Sequence, residues 1–308
     1  MKRFIKNVLN EFLWRTTSAR VTQAEKARIS KLRKEISSLP PLSTSAKNSD
    51  AENKWIANRQ ELREDIMNRD IRNFLRWNVI QMTMFHRAKE VELEYIKLSS
   101  LWPRYQKAFV DNAVGNPHPY PSMLESSGNL IHCGYHIARF LEHVEYSFEQ
   151  TKGMIFEFGG GYGSMTRFIK KIGFKGVYVV FDLPEFIFLQ EYYLRSLGYD
   201  IETKPSNRPG VIVLLSNLND LKKQIGDTVP DLFIATWSLS ESPFTLRQEI
   251  LTIIPDSRYW IIAYQKIFED VNNEAHFEEF MLERPQTLWY NEPINHLKNS
   301  SYVFGRRK

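Results

Sequence analysis

The sequence predicts an α/β fold in which a mostly parallel sheet follows a helical N-terminal region. Three observations carry this prediction. Residues 155–158 form a short apolar run interrupted only by Glu157, as in a parallel strand covered by helices on both faces. After a glycine turn, apolar residues recur at helical spacing over 165–172. A second apolar run, 177–181, then completes a βαβ unit, whose crossover should be right-handed.

The elements that follow extend the same sheet. Pro184 suits the first turn of a helix, and Gly198 suits its end. Further strands are predicted at 211–215, 231–237 and 259–264, with helices at 244–254 and 274–282 between and after them. Two last apolar runs, 287–290 and 302–304, predict an antiparallel closing pair.

The chain divides into four predicted segments. Residues 1–36 form a basic amphipathic helical segment, and the Ser/Pro-rich residues 37–49 form a linker. Residues 50–128 are predicted to be a helical platform that ends in an irregular Pro-rich loop from position 111. Residues 129–308 make up the α/β domain, which begins with a helix.

Composition indicates an ordinary soluble protein in a reducing compartment. The 308 residues contain one cysteine, Cys133, which excludes an internal disulfide framework. No apolar run approaches the roughly 18 residues of a membrane span, so we expect a cytoplasmic protein. Of the net charge of +5, residues 1–35 supply a surplus of +7, with ten Lys/Arg against three Asp/Glu. We expect this segment to pack on its own protein or on a second copy, rather than on nucleic acid or a membrane.

The glycine spacing after the first strand indicates which ligand the turn binds. The glycines alternate at 159, 161 and 163, with Gly160 between the first two. A dinucleotide-binding loop of the form G-x-G-x-x-G needs a third glycine where this chain has Ser164 or Thr166. The pattern therefore disfavours a pyrophosphate ligand, although a nicotinamide-dependent oxidoreductase remains the second hypothesis.

The alternating glycines resemble motif I of the class I S-adenosylmethionine-dependent methyltransferases. More narrowly, EFGGGYGSMTRFI, FDLPE, TWSLSES and YWIIAYQ, together with a tail containing Trp289, His296 and residues 302–305, are similar to the bacterial sugar O-methyltransferase family. The resemblance implies a Rossmann-like class I methyltransferase sheet with an antiparallel C-terminal hairpin. It also implies S-adenosyl-L-methionine as cofactor and methyl transfer to a hydroxyl of a sugar, nucleotide sugar or polysaccharide precursor.

The resemblance implies a set of cofactor-binding residues near the strand ends. Asp182 follows the second strand, where this fold places a carboxylate on the ribose hydroxyls, and two acceptor oxygens suit two hydroxyl donors. Ser216 and Asn217 are placed to meet the adenine. The full set is Glu157, Phe158, Gly159, Gly160, Gly161, Gly163, Asp182, Leu183, Ser216, Asn217, Thr236 and Trp237.

Methyl transfer to a sugar also needs a group that takes the hydroxyl proton. Similar plant enzymes use a histidine shortly after the fourth strand, but this chain has Ser240 and Glu241 there. Glu241 is our predicted base or ligand of a divalent cation such as Mg²⁺, and a favourable acid at a helix N-terminus is its structural alternative. His276 and His296 are the other candidate bases.

The helix before the first strand should border the acceptor. Tyr135 and His136 are predicted to contact substrate, together with Ser240. His132, His136 and His143 share one face of this helix. We predict no metal site there, because the glutamate of an H-E-x-x-H motif is missing.

The partners expected are a sugar or nucleotide-sugar acceptor and, through the N-terminal helices, a second copy of the chain. No nucleic-acid partner is expected. A third hypothesis is a catalytically inactive methyltransferase-like module that assembles with other proteins through its basic N-terminus.

Overall fold

The computed structural model describes residues 21–43, 49–84, 88–269 and 271–308. Its strands are β1 (Pro119–Tyr120), β2 (Met123–Ser127), β3 (Met154–Phe158), β4 (Val177–Phe181), β5 (Ile201–Glu202), β6 (Ile212–Leu215), β7 (Leu232–Thr236), β8 (Tyr259–Gln265), β9 (Ile267–Phe268), β10 (Val271–Asn272), β11 (Thr287–Pro293) and β12 (Ser300–Arg307).

Eight of these strands form one central sheet in the order β11-β12-β8-β7-β3-β4-β6-β5. The pairs from β5 across to β8 are parallel, with β3 lying between β4 and β7. β12 is antiparallel to both of its neighbours, β8 and β11. This topology confirms the predicted fold class, a mostly parallel Rossmann-like sheet with an antiparallel C-terminal hairpin.

Helices flank the sheet and precede it. They are α1 (Gln23–Ser38), α2 (Asp50–Asn68), α3 (Asn78–Thr83), α4 (Glu90–Leu98), α5 (Leu101–Tyr105), α6 (Gly128–His143), α7 (Ser164–Lys171), α8 (Pro184–Ser196), α9 (Leu218–Ile225), α10 (Ser238–Glu241), α11 (Phe244–Ile253) and α12 (Asn273–Leu282). Two 3₁₀ helices lie at Ile71–Arg76 and Gln106–Phe109. Among the described residues, no helix is both long enough and apolar enough to cross a membrane.

The strands are apolar on both faces because helices cover both. Successive residues of β3 alternate between two cores, with Ile155 in the first and Phe156 in the second. The first core joins the sheet to α6, α7, α8 and the N-terminal helices, and the second joins it to α9, α11 and α12. Burial of this kind stabilises a sheet by roughly 25 cal/mol per Å² of apolar surface.

Local sequence sets where the helices near the strand ends begin. Gly163 is the N-cap of α7 with a φ of 97°, a conformation that glycine adopts readily. Pro184 occupies the first turn of α8, as the sequence predicts. The Asn217 side chain accepts from the backbone of α9 and caps it. These caps fix the helix N-termini at one edge of the sheet.

The N-terminal helices share the first core with the sheet, so they form part of one folded body. Leu32 of α1 and Leu62 of α2 are buried in the same cluster as Ile155 of β3. Ion pairs add to this contact, because Lys31 Nζ lies 2.6 Å from Glu191 Oε1 on α8. The predicted segment boundaries at residues 36, 49 and 128 stay predictions.

The predicted irregular loop at 111–128 is wrong in part. β1 and β2 form a short antiparallel pair within it, because backbone groups that cannot continue a helix bond to one another instead. Helix α1 continues to Ser38, two residues into the predicted linker at 37–49. Residues 44–48 of that linker, and the predicted basic amphipathic helix within residues 1–20, lie outside the described residues.

Other differences concern the lengths of strands and two short elements that were not predicted. The closing hairpin is longer than predicted, with seven residues in β11 and eight in β12. Polar side chains alternate with apolar ones there, which hides the ends of the strands in the sequence. β5 and α9 were absent from the predicted elements, because both are short.

Candidate active site

A cavity of about 1070 Å³ opens at the carboxyl ends of the parallel strands. Loops after β3, β4, β6 and β7 form one side of it, and residues from α2 and α6 form the other. Ligands bind at this edge of open α/β sheets because the loops after parallel strands converge there. The volume lies at the upper end of the roughly 300–1,000 Å³ typical of small-molecule sites. The cavity therefore has room for a cofactor and a small acceptor.

The glycine loop presents bare backbone to this cavity. Gly159 and Gly161 take φ values of 76° and 58°, which favour glycine. A side chain at Gly159 would place its Cβ 2.3 Å from the Cβ of Ser238. A Cβ at Gly161 would not clash, because its nearest neighbour, Met84 Sδ, would lie at an ordinary van der Waals distance of 3.7 Å. Gly161 thus faces the cavity opposite Met84, and no neighbouring backbone crowds it.

The other two glycines of the loop serve the packing of the fold. Gly160 lines the cavity, but a Cβ there would lie 2.7 Å from Val180 Cγ1 of β4. Gly163 is absent from the cavity wall, and a Cβ there would meet the Leu194 side chain at 3.3 Å. The structure therefore does not place Gly163, a predicted cofactor residue, where it could touch a ligand; it allows α7 to begin close to α8.

Asp182 lies directly beside the glycine loop. Its Oδ2 accepts from the backbone N–H of Gly161 at 3.2 Å and from Gln190 Nε2 at 2.9 Å. Its Oδ1 accepts from the N–H of Leu183 at 2.7 Å. Burial raises the pKa of Asp182 to about 7, and these donors oppose the shift. The loop and the acid, predicted separately, thus form one surface of the cavity.

Glu157 and Phe158 end β3 at the floor of the cavity. Glu157 Oε2 accepts from Thr166 Oγ1 at 2.9 Å and from the Tyr178 hydroxyl at 2.8 Å. Burial raises the pKa of Glu157 to about 7, while the two hydroxyls oppose the shift. The Phe158 ring is nearly parallel to that of Phe181, at a centroid distance of 6.3 Å. Both predicted residues line the cavity.

The remaining predicted cofactor residues also line the cavity at neighbouring strand ends. Ser216 and Asn217 follow β6, Leu183 follows β4, and Thr236 ends β7. Asn217 Oδ1 already accepts from the N–H of Asn219 at 2.9 Å as the cap of α9. Its amide nitrogen is therefore the group that can donate to a ligand.

Trp237 adopts a backbone conformation that is uncommon for an aromatic residue. Its φ is 64°, and its N–H donates to the carbonyl of Ala263 at 2.6 Å. The indole stacks on the His132 ring at a centroid distance of 5.3 Å and lies 5.4 Å from the His136 ring. Strained backbone of this kind clusters at functional sites. The strain here presents the indole to two histidines of α6.

Of the two predicted residues in α10, Ser240 and Glu241, only Glu241 lies in the cavity wall. Its Oε1 accepts from Gln265 Nε2 at 3.1 Å. Burial raises the pKa of Glu241 to about 7, and the charge of Lys54 opposes the shift. Ser240 is fully buried outside the wall, where its Oγ donates to the Trp237 carbonyl at 2.8 Å. A direct contact between Ser240 and substrate is therefore not supported.

The two predicted substrate residues of α6 also differ in whether they line the cavity. His136 lines the cavity, with its Nδ1 2.5 Å from the Tyr302 hydroxyl. Tyr135 is buried behind the wall, where its ring lies 5.2 Å from the His296 ring. Successive helical residues point about 100° apart, and here His136 faces the cavity while Tyr135 does not.

The two alternative bases, His276 and His296, lie outside the cavity wall. His276 sits on α12 between the rings of Phe244 and Phe277, and burial lowers its pKa. His296 lies in the turn before β12, where its Nε2 is 2.6 Å from Glu92 Oε1. The sequence places both after the fifth strand but does not reveal that other residues separate them from the cavity.

Sequence reasoning missed the wall contributed by α2. Glu52, Trp55, Ile56 and Arg59 of this helix line the cavity. They are held there by α8, because the Trp55 ring meets Phe186 edge-on at 6.0 Å. The sequence of α2 gives only an amphipathic pattern, and nothing in it indicates a partner so far along the chain.

No group of three or more His, Cys, Asp or Glu side chains in the described ranges is arranged to hold a metal ion. His132 and His136 lie side by side, with ring centroids 4.2 Å apart, whereas His143 pairs with Glu292 at the far end of α6. The common helix face predicted for the three histidines therefore leads to two different environments.

Fold and site together describe a Rossmann-like protein with a ligand cavity at its glycine loop. No protein-family model and no curated protein matches the chain. Among solved structures, the chain is similar to an rRNA methylase from Streptococcus thermophilus, at 16% identity over 55% of this chain and 92% of that one, with a TM-score of 0.39.

Two further solved structures are similar at the same level. An SAH-bound methyltransferase from Podospora anserina is 12% identical over 86% of this chain and 99% of that one, with a TM-score of 0.39. Precorrin-6y C5,15-methyltransferase from Geobacter metallireducens is 12% identical over 56% of this chain and 86% of that one, with a TM-score of 0.35. By their names, the methylases from Streptococcus and Geobacter act on unlike molecules, rRNA and a precorrin.

Proposed function

We propose that this chain is an S-adenosyl-L-methionine-dependent O-methyltransferase acting on a hydroxyl of a sugar, nucleotide sugar or polysaccharide precursor. The observation that carries the proposal is the contact between Gly161 and Asp182, whose N–H and Oδ2 lie 3.2 Å apart. A nucleoside that passes over Gly161 would reach the carboxylate with its ribose. Alternating glycines and an acid one strand away thus converge on one ligand position.

The residues of the cavity fit the cofactor in both shape and charge. The space above Gly161 would be filled by a Cβ in any other residue, and Asp182 offers acceptor oxygens to the ribose hydroxyls. Ser216 and Asn217 supply polar groups for the adenine edge. When bound, the cofactor supplies a methyl group on positively charged sulfur. The chain's own task is to bind it, to orient the acceptor and to exclude water.

The part of the cavity lined by Trp55, Glu241, Ser242 and Gln265 suits a sugar. Trp55 supplies an aromatic ring on which a sugar can lie, and Glu241, Ser242 and Gln265 supply donors and acceptors for hydroxyl groups. We propose that Glu241 holds the acceptor, and that His136 borders it. The cytoplasmic location, the lack of a nucleic-acid partner and self-association through the N-terminal helices remain predictions.

Calorimetric titration tests the cofactor assignment first. We expect micromolar or tighter binding of S-adenosylhomocysteine and no binding of NAD. A screen of nucleoside diphosphate sugars and polysaccharide fragments with methyl-labelled donor then tests the acceptor class. Binding of NAD without binding of S-adenosylhomocysteine would overturn the proposal.

The variant Asp182→Ala tests the proposed ribose contact. Loss of one or two charge-assisted hydrogen bonds should weaken S-adenosylhomocysteine binding by roughly 2–4 kcal/mol. Asp200→Ala is the control, because Asp200 is an exposed acid that pairs with Arg208 away from the cavity. Unchanged affinity in a folded Asp182→Ala protein would contradict the ribose role.

A further inference from the structure

A buried arginine holds the loop that presents Glu241 to the cavity. Arg247 of α11 has only 1% of its surface exposed, and it lies outside the cavity wall. Its Nη2 donates to the Ser240 carbonyl at 2.6 Å, and its Nε donates to the Ser242 carbonyl at 2.8 Å. These two carbonyls lie on either side of Glu241 in the chain, so one guanidinium group fixes the backbone before and after this residue.

Asn273, the first residue of α12, connects this arginine to the neighbouring strand. Its Oδ1 accepts from Arg247 Nη1 at 2.6 Å, and its Nδ2 donates to the Ser240 carbonyl at 3.3 Å. The same Nδ2 donates at 2.9 Å to the carbonyl of Gln265, the last residue of β8. The two side chains, which we call the Arg247–Asn273 clamp, thus join the loop after β7 to the end of β8.

The Arg247–Asn273 clamp holds the backbones of two residues that line the cavity. Gln265 Nε2 donates to Glu241 Oε1 at 3.1 Å, and both residues belong to the part of the cavity that suits a sugar. Arg247 and Asn273 do not line the cavity themselves. A shift of either backbone would move the donor or the acceptor of the contact between Gln265 and Glu241. Displacements of about 1 Å are enough to weaken an enzyme strongly.

Packing alone does not account for a charged side chain at this position. The partners of Arg247 are two backbone carbonyls and one amide oxygen, and none of them carries a negative charge. Burial lowers the pKa of Arg247 to about 10, because it disfavours the charged form. An apolar residue of similar volume would avoid this cost, but it could not donate to three acceptors at once. The guanidinium group is therefore suited to fixing the loop.

We propose that Arg247 and Asn273 are positioning residues for the acceptor side of the cavity; this inference rests on the proposed methyltransferase function. They act through backbone carbonyls, which keep Glu241 and Gln265 in the geometry that binds the acceptor. Loss of the clamp should therefore weaken binding of the acceptor, while the glycine loop keeps its contacts with the cofactor.

The first test compares Arg247→Lys with Arg284→Lys. Arg284 is a matched control, because it donates to the Phe280 carbonyl at 3.1 Å and lies over the Phe280 ring, but outside the cavity wall. Lysine keeps the charge but lacks the planar fork that reaches three acceptors. With the most active nucleoside diphosphate sugar of the acceptor screen, Arg247→Lys should raise the acceptor KM at least about fivefold and change the Kd of S-adenosylhomocysteine less than about threefold. Arg284→Lys should leave both unchanged.

A double-mutant cycle separates positioning from general destabilisation. If Arg247 acts through Glu241, Arg247→Lys should have little further effect on the acceptor KM in a Glu241→Gln background. A residue that only stabilises the fold would change KM by the same factor in both backgrounds. Asn273→Asp is a second variant, because it keeps the oxygen that faces Arg247 and removes the amide that donates to the Gln265 carbonyl. It should raise the acceptor KM at least about threefold.

Hydrogen exchange tests the clamp without an acceptor. The N–H of Glu241 donates to the Trp237 carbonyl at 3.0 Å within the clamped loop. Arg247→Lys should speed amide exchange over residues 239–242 at least about tenfold more than over α7, whereas Arg284→Lys should not. If exchange rises equally in both regions, or if Arg247→Lys changes KM by the same factor in both backgrounds, the inference is wrong while the methyltransferase function stands. Absence of S-adenosylhomocysteine binding by the wild-type protein would remove that function, and the role in acceptor binding with it.

Discussion

Two walls of the cavity are built in opposite ways. The glycine-loop wall, residues 157–162 with 182–183, comes from a single βαβ unit and is shaped by backbone conformation. The helical wall, formed by the cavity-facing side chains of α2 and α6, comes from segments far away in the chain. Arg59 of α2, for example, bonds to Glu185, which lies 126 positions further on.

This difference shows which wall can be predicted from local sequence and which depends on contacts between distant segments. Positive φ values and strand-to-strand spacing are local properties, so the glycine-loop wall can be recognised from a short stretch of sequence. The helical wall depends on which surfaces meet after folding. Glu185 is fully buried and accepts from both Arg59 and Arg63, so α2 is held by paired charges rather than by backbone shape. Mutations in the two walls should therefore affect stability and cofactor affinity in different ways.

The largest effect is expected in the glycine-loop wall, from Gly159→Ala. The new Cβ would lie 2.3 Å from the Cβ of Ser238, at a φ of 76°. Crowding and strain together should lower the free energy of unfolding by about 2–5 kcal/mol. Urea denaturation followed by circular dichroism measures this change.

Gly198→Ala provides the matched control, because Gly198 has a φ of 83° with nothing within 4 Å of the added Cβ. Its strain alone should lower stability by about 1 kcal/mol. Equal losses for the two variants would mean that close packing against Ser238 does not shape this wall.

The next effect is expected in the helical wall, from Glu185→Gln. Removal of the charge leaves two partly buried guanidinium groups with a weaker partner, so stability should fall by about 2–3 kcal/mol. Cofactor affinity should fall as well, because Trp55 and Arg59 line the cavity. Urea denaturation and calorimetry measure the two losses.

Glu202→Gln is the control for that variant, since Glu202 pairs with Arg208 at an exposed site. Its effect should stay within about 0.5 kcal/mol. A Glu185→Gln protein with normal stability and normal affinity would show that α2 is held mainly by apolar contacts.

The smallest effect concerns pH and again tests the glycine-loop wall. Burial raises the pKa of Asp182 to about 7, so this acid is mostly protonated at pH 6 and mostly ionised at pH 8. The ionised form accepts hydrogen bonds, and S-adenosylhomocysteine affinity should therefore rise up to about tenfold from pH 6 to pH 8. Calorimetry at both values measures the change.

Asp182→Asn isolates this group from Glu157, whose pKa burial also raises to about 7. The variant should bind more weakly and lose most of the pH dependence. Stability should change with the opposite sign. Because the folded-state pKa lies above the unfolded value of 3.8, the contribution of Asp182 to stability is greatest below pH 4 and is lost as the pH rises through 7.

The contrast between the two walls also explains why the sequence predicts the parallel strands and the cofactor residues well. The βαβ unit, the start of α8 at Pro184 and the parallel strands all follow from local spacing. Eleven of the twelve predicted cofactor residues line the cavity, and Gly163 is the exception because its small size serves helix packing. Local rules place residues at strand ends, and strand ends meet at one edge.

The acceptor side was predicted less well for a physical reason. His276 and His296 follow the fifth strand, but packing turns both away from the cavity. His132 appeared only as part of a metal pattern, because its partner Glu92 lies in an earlier helix and leaves no trace in local spacing. A pair of a histidine and a distant carboxylate becomes visible only in three dimensions.

The shared carboxylate of Glu92 also has a consequence for the order in which the protein opens. Helix α6 cannot leave the sheet without breaking the bond from His132 to Glu92, and the C-terminal hairpin cannot leave without disturbing the bond from His296. Amide protons in α4, α6 and β11–β12 should therefore exchange with solvent as one cooperative unit.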